Sequence, residues 1–434
     1  MSTVTIGIII FAVMLLLVFL GVPVFVSLMF STIIGFFSIG GSRVLLSQLT
    51  RGFFNESVSY TFSVVPLFIL LGILASETGI AENAFKAVRV WTGRQRGSLL
   101  YTTIVANALF GAISGNSVAG NSIFSKVAFP ELEKAGYDRS LSLATIVASG
   151  NLGCLIPPSI PILQICLIAE ISIGTALITG LAAGIILTIV LCISILVISF
   201  VRPRKIPQAD TKVYPFRQKM KSLTLLIPIV VLFILIIGGS FFGWFPPTVG
   251  GAIGLVAVLI YAFSKKISIK EIFIHAGDSV VVFSMVFCII CCGRLFGRFI
   301  SMCGLTSAII TWISNSGMAP ILCFTIVVVF FGLLGCAMDS LTMIIVTVPI
   351  LFPMLESIGM NEFVICILLV FIGELALITP PVGTGVFQVA ALTGHSSKVI
   401  FKGVLPFVIV YLVCVYIIYL FPDIVLWLPR LLGA

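Results

Sequence analysis

Charge is what this chain lacks. Only 9% of its 434 residues are Asp, Glu, Lys or Arg, while 60% are apolar. A soluble chain of this length needs a polar covering, and this one cannot make it. Imidazole is scarce too: the two histidines, His275 and His395, have no partner at ligand spacing and read as interfacial residues. Eleven cysteines are scattered through apolar runs (Cys154, Cys192, Cys288, Cys414 among them) without paired metal spacing, so they read as buried free thiols. The first 42 residues carry no charged side chain. The basic start of a cleavable signal peptide is therefore missing, and residues 4–20 are read as a first, retained membrane span. Alternation is absent as well: the solid apolar run 185–201 excludes a membrane β-barrel. What remains is an all-α polytopic membrane protein, whose backbone satisfies its own hydrogen bonds within helices.

The net charge of +9 does not point to nucleic acid. Seven basic residues (Arg202, Arg204, Lys205, Lys212, Arg217, Lys219, Lys221) fall in one polar loop, 202–221, where they act as a topology signal. Apolar runs place spans near 3–20, 23–38 and 59–76, then an amphipathic arm at 80–97 carrying Lys86, Arg89, Arg94 and Arg96. A helix pair at 98–114 and 117–135, a span broken within 140–170 and a span at 174–201 follow. After the basic loop come 222–242, 247–263 and 272–296, then an arm at 304–317, a second pair at 319–336 and 340–357, a second broken span at 361–393 and a last span at 399–421. With the N-terminus outside, the cytoplasmic side holds 19 of the 24 Lys and Arg. Only Arg43, Arg51, Arg294, Arg298 and Arg430 fall elsewhere, and the opposite orientation would reverse the bias.

Residues Asn116 to Pro158 align without gaps on Asp339 to Pro381, an offset of 223. Phe129-Pro130, Leu132-Glu133 and Gly136 recur as Phe352-Pro353, Leu355-Glu356 and Gly359; Ser117, Gly150 and Pro157-Pro158 recur as Ser340, Gly373 and Pro380-Pro381. Five crossings separate the copies, so each re-entrant pair is expected to enter from a different face. Such an inverted repeat of interrupted spans marks a secondary transporter. The predicted organisation is scaffold helices at 1–76, a first transport repeat at 77–173, scaffold at 174–296, a second repeat at 297–395 and a terminal helix at 396–434.

The chemistry is expected at the hairpin tips and the Pro-Pro breaks. Ser114-Gly115-Asn116-Ser117 and Gly335 to Thr342 supply small residues, hydroxyls and helix caps. Each Pro-Pro removes two amide donors and frees carbonyls of the preceding turn. Freed carbonyls with hydroxyls are hard oxygen ligands suited to Na⁺, and the half-helix N-termini suit an anionic substrate. Asp339 is the most suggestive charge, since a carboxylate at membrane depth is expensive; it is either a ligand, an N-cap of helix 340–357, or both. Glu374 is a ligand, a proton carrier or a residue facing a wet cavity, and its repeat mate Asn151 is neutral. Glu133 and Glu356 read as structural, and Arg294 and Arg298 as snorkelling side chains with an external partner as the alternative. Gly115-Asn116-Ser117 resembles a nucleophile turn, but no His or Lys is placed to act as its base, so an enzyme is not expected. A channel does not require opposed hairpins.

The same residues resemble the large membrane subunit of tripartite ATP-independent periplasmic (TRAP) transporters. The likeness rests on Ile113-Ser114-Gly115-Asn116-Ser117-Val118-Ala119, the hairpin exit Pro130 to Arg139, Leu155-Ile156-Pro157-Pro158-Ser159-Ile160-Pro161, Met338-Asp339, and Leu377-Ile378-Thr379-Pro380-Pro381-Val382-Gly383. It covers essentially the whole chain. Gly120 stands where the family often has an acidic residue, and Thr384-Gly385 where it has bulkier residues or Asn. The resemblance implies an elevator-type, Na⁺-coupled importer of organic acids in the bacterial inner membrane, with a periplasmic N-terminus. Its implied partners are a small membrane subunit of about four helices and a soluble periplasmic substrate-binding protein. One implied Na⁺ site comprises Ser114, Gly115, Asn116, Ser117, Ser149, Gly153, Ile156 and Pro158; the other comprises Gly335, Asp339, Thr379, Gly383 and Thr384. Substrate is expected between the tips, against Asn116, Ser117, Asn151, Asp339 and Ser340. The alternative is a stand-alone Na⁺- or H⁺-coupled anion symporter or antiporter with a related inverted repeat.

Overall fold

A computed structural model describes residues 2–58, 60–93, 95–207, 214–239, 244–335 and 338–433. Arg94 of the first arm, Lys212 of the basic loop and Cys336-Ala337 of the second tip lie outside the described residues. Among the described residues there is no strand. Among these residues, six helices are long and apolar enough to cross a membrane, or seven if Val64–Glu77 and Ile80–Thr92, which meet at 62°, count as one bent span.

Most expected spans appear within a few residues, and the differences have local causes. The span expected at 23–38 stops close to its expected end, where the backbone leaves helical geometry at Gly40 (φ −143°) and Gly41 (φ 65°), and a second helical stretch beyond this kink runs on to Val58. Arg43 and Arg51 lie on this second stretch, beyond the apolar run. The span expected from 272 begins at Ile269 and runs unbroken to Met302. A capping box starts it: Ser268 Oγ accepts from Glu271 N–H at 3.2 Å, and Glu271 Oε2 accepts from Ser268 N–H at 2.8 Å. Part of the basic loop is itself helical, Phe216–Leu223. A short final helix, Asp423–Leu431, was not expected; it starts after Pro422 and packs on Ile173–Val201.

The two repeats share one element order. Ser98–Ser114, Ser117–Lys134, Arg139–Gly150 and Ile160–Ala169 correspond to Pro320–Leu334, Ser340–Ser357, Glu362–Ala376 and Thr384–Thr393. Pro157-Pro158 and Pro380-Pro381 are both cis. The half-helices cross over: Ile160–Ala169 packs on Ser340–Ser357, and Thr384–Thr393 packs on Ser117–Lys134. At the crossing the repeat mates touch, Asn151 Nδ2 donating to Glu374 O at 2.9 Å. Ser397–Leu420 lies across Arg139–Gly150 and Glu362–Ala376, and the buried Tyr411 hydroxyl donates to Ala148 O at 2.8 Å.

The mouths of the two helix pairs lie at different ends of the first broken span. At its start, Asp138 accepts from Lys205 Nζ at 2.9 Å and Arg139 pairs with Glu133 at 2.8 Å. This ties the first mouth to the basic loop, and Arg89–Glu131 at 2.6 Å adds the arm. At its far end, Glu170 borders a pocket shared with Glu356 and Glu362 of the second mouth. Arg294, read from sequence as snorkelling, reaches Glu170 at 3.1 Å in that pocket.

Candidate functional site

The first tip is held by a close backbone approach. Ser98–Ser114 ends at Gly115, whose φ of 63° favours glycine. A β-carbon there would stand 2.1 Å from Pro158 O, so the tip seats directly on the first break. Gly115 O accepts from Ile160 N–H at 3.2 Å, which joins the tip to the half-helix beyond the prolines. Asn116 is extended and caps Ser117–Lys134 by accepting from Val118 N–H at 2.8 Å. Ser117 N–H donates to Cys154 Sγ at 3.3 Å. The broken span passes through a 3₁₀ turn, Asn151–Cys154, and a β-carbon on Gly153 would lie 2.9 Å from Asn116 O.

The second tip follows the same plan. Gly335 abuts Ala376, which stands 223 residues after Gly153. Asp339 caps Ser340–Ser357, accepting from Thr342 N–H at 3.3 Å and from Thr342 Oγ1 at 2.6 Å. Thr379 Oγ1 donates to Leu375 O at 2.7 Å, and Gly383 (φ 48°) opens Thr384–Thr393.

Both tips and both half-helices border a cavity of about 330 Å³. Asn116, Ser117, Asn151, Asp339 and Ser340 line it, as does Thr384. The other residues of the first implied ion site lie behind it: Ser114, Gly115, Ser149, Gly153, Ile156 and Pro158 are all buried. In the second implied ion site Gly335 and Gly383 are buried, Thr379 is half-buried, and Asp339 and Thr384 are exposed. The two constellations therefore differ in enclosure.

Their donor sets suit a monovalent cation. Ser114 Oγ is buried without a hydrogen bond, beside a break whose prolines supply no N–H. Ser149 Oγ already accepts from Asn107 Nδ2 at 3.0 Å and donates to Ile146 O at 3.3 Å, leaving it one lone pair. The second site adds the Asp339 carboxylate and the Thr379 hydroxyl, again hard oxygen.

Four residues of the lining were missed or left open by sequence reasoning. Asn121, Cys154 and Gln388 were not singled out, and Glu374 was left with three readings. Asn121 follows Ser117 by four residues and Gln388 follows Thr384 by four, so helical spacing from a named site residue was the available signal. Glu374 is fully buried. The Ser117 and Ser340 hydroxyls and the Cys154 thiol lie beside its carboxylate, yet neither oxygen has a hydrogen bond of acceptable geometry. No Lys, Arg or His is among the residues described as lining this cavity, which contains two carboxylates.

Comparison with known proteins gives this geometry a lineage. Residues 11–424 match the family model described as "Tripartite ATP-independent periplasmic transporter, DctM component". The chain is 29% identical over 385 residues to the C4-dicarboxylate TRAP transporter large permease protein DctM of Pseudomonas aeruginosa, covering 88% of each. It is 28% identical to the ectoine TRAP transporter large permease protein TeaC of Halomonas elongata, covering 97% of this chain and 98% of that one. It is 27% identical to the sialic acid TRAP transporter permease protein SiaT of Haemophilus influenzae, covering 96% of this chain and 67% of that longer protein. Among solved structures, the Alcanivorax borkumensis YdaH transporter shares the fold, with a TM-score of 0.65 at 14% identity over 88% of this chain and 89% of that one. A multi-pass helical bundle with paired tips and broken spans, matched over nearly its whole length, is a transporter component and not an enzyme: the chain belongs to the DctM component family of the tripartite ATP-independent periplasmic transporters.

Proposed function

We propose that this chain is the Na⁺-coupled translocating subunit of an organic-acid importer in the bacterial inner membrane, with its N-terminus in the periplasm. A soluble periplasmic binding protein would deliver the substrate, and a small membrane subunit of about four helices would complete the complex. Relatives named for C4-dicarboxylates, sialic acid and ectoine support an organic acid as the class of cargo. The observation that carries the reading is a cavity bordered by both tips, with repeat mates Asn151 and Glu374 in contact beneath it. A site on a pseudo-two-fold axis can be opened to either side by moving one unit.

Alternating access would be of elevator type. The two tips and two broken spans would move together, because each half-helix packs on the other repeat's hairpin. The mouths at different ends of the first broken span support opposed entry of the two pairs. Ser114 with Ser117, and Asp339 with Thr379, would hold Na⁺, whose bound charge favours an anionic substrate between the tips. Asn116 and Asp339 fix the starts of the helices that bear Ser117 and Ser340, so the cavity hydroxyls are positioned by capping.

Reconstitution tests the reading. Uptake should require an inward Na⁺ gradient, the small membrane subunit and the cognate soluble protein. Equal uptake by this chain alone would instead favour a stand-alone symporter.

A further inference from the structure

The unexplained feature of the cavity is a surplus of unpartnered oxygen. Glu374 is 0% exposed and both of its carboxylate oxygens lack a hydrogen bond. Its mate Asn151, also 0% exposed, spends its amide N–H on Glu374 O, which leaves Oδ1 without a partner. Ser340, 4% exposed, leaves Oγ without one, and that atom would lie 2.9 Å from a β-carbon on Gly373 beside Glu374. These residues border the same cavity and come from three elements of two repeats. An isolated buried carboxylate costs several kcal/mol unless a counter-charge or strong donors meet it. No basic residue is among those described as lining the cavity.

We propose that Glu374, Asn151 Oδ1 and Ser340 Oγ form a Na⁺ site at the seam between the repeats, separate from the two sites at the Pro-Pro breaks. One carboxylate and neutral hard oxygens match one monovalent cation, whereas Ca²⁺ prefers several carboxylates and Mg²⁺ retains its waters. The inference rests on the Na⁺-coupled reading and deepens it. A cavity with two carboxylates and no basic lining residue repels an organic acid. An ion on Glu374 would remove one of those charges and offer the substrate carboxylate a positive partner.

Equilibrium binding of ²²Na⁺ to the purified full-length chain in nanodiscs tests this directly. Glu374→Gln keeps the shape and removes the charge; saturating Na⁺ should fall by one ion per chain. Moving the carboxylate to the repeat mate, in Glu374→Gln with Asn151→Asp, should restore it. Ser340→Ala, a milder change, should weaken one ion by about fivefold, as loss of one oxygen contact does. If Glu374→Gln fails to fold, Ser340→Ala alone decides, and unchanged Na⁺ binding there overturns the site. Wild-type binding that neither variant alters refutes the seam site and leaves the two break sites standing. No Na⁺ binding by the wild type refutes the Na⁺-coupled reading and this site together.

Discussion

Ser117 on the first tip, and Asp339 and Thr379 on the second tip and break, carry side-chain oxygens that define the residue-scale test. Loss of one charged-group contact is worth about 1.5–3 kcal/mol, so Ser117→Ala, Asp339→Ala and Thr379→Ala should each lower Na⁺-driven uptake by roughly tenfold or more. Quantitative blotting of membranes should show unchanged insertion; uptake with unaltered Na⁺ dependence in all three would remove these residues from the account. Gly115→Ala is a different kind of change. It forces φ of 63° on a residue with a β-carbon 2.1 Å from Pro158 O. The left-handed conformation alone costs about 1–2 kcal/mol, so thermal unfolding in detergent should move down by several degrees as uptake is lost. These tip residues were legible because hydroxyls, amides and glycines stand out in an apolar chain. Asn121 could have been found only by its four-residue spacing from Ser117, and Cys154 not at all, because a cysteine in an apolar run carries no signal until its neighbours across the bundle are known.

At the scale of elements, the Pro-Pro breaks and helix pairs could be read from the 223-residue offset, and their ends from caps such as Asn116 and Asp339. What sequence could not give is the crossover, in which Ile160–Ala169 packs on the second hairpin and Thr384–Thr393 on the first. That is a tertiary choice among several apolar faces of similar composition. The second helical stretch after the Gly40-Gly41 kink was hidden, since it carries Arg43 and Arg51 and does not read as an apolar span. Tyr411 is the testable joint of this layer. Its hydroxyl crosses to Ala148 O from the helix spanning both broken spans, so Tyr411→Phe should destabilise by about 1 kcal/mol, read as a small fall in the unfolding midpoint. The proposed opposed entry of the two helix pairs gives a second test. Single cysteines beside Ser117 and Ser340, in a background without accessible thiols, should react with membrane-impermeant reagents from different faces as the transporter cycles; labelling of both only ever from one face would contradict opposed entry.

For the whole molecule, scarcity of charge was enough to read a polytopic helical membrane protein, and placement of Lys and Arg gave its expected sidedness. The first mouth lies by the basic loop, where Asp138 meets Lys205, and the second lies by Glu170 and Arg294. Selection of cargo is not legible in this chain, because its cavity is lined by neutral amides, hydroxyls and apolar groups with two acids, a set that singles out no one organic acid. The most direct test of the central claim is uptake into proteoliposomes holding this chain and its small membrane subunit. Radiolabelled C4-dicarboxylate, sialic acid and ectoine would be offered in turn, with and without the cognate soluble protein, under an imposed inward Na⁺ gradient. The account predicts accumulation of one of these acids only when both the gradient and the soluble protein are present. Accumulation that persists without Na⁺, or without the soluble protein, would contradict it.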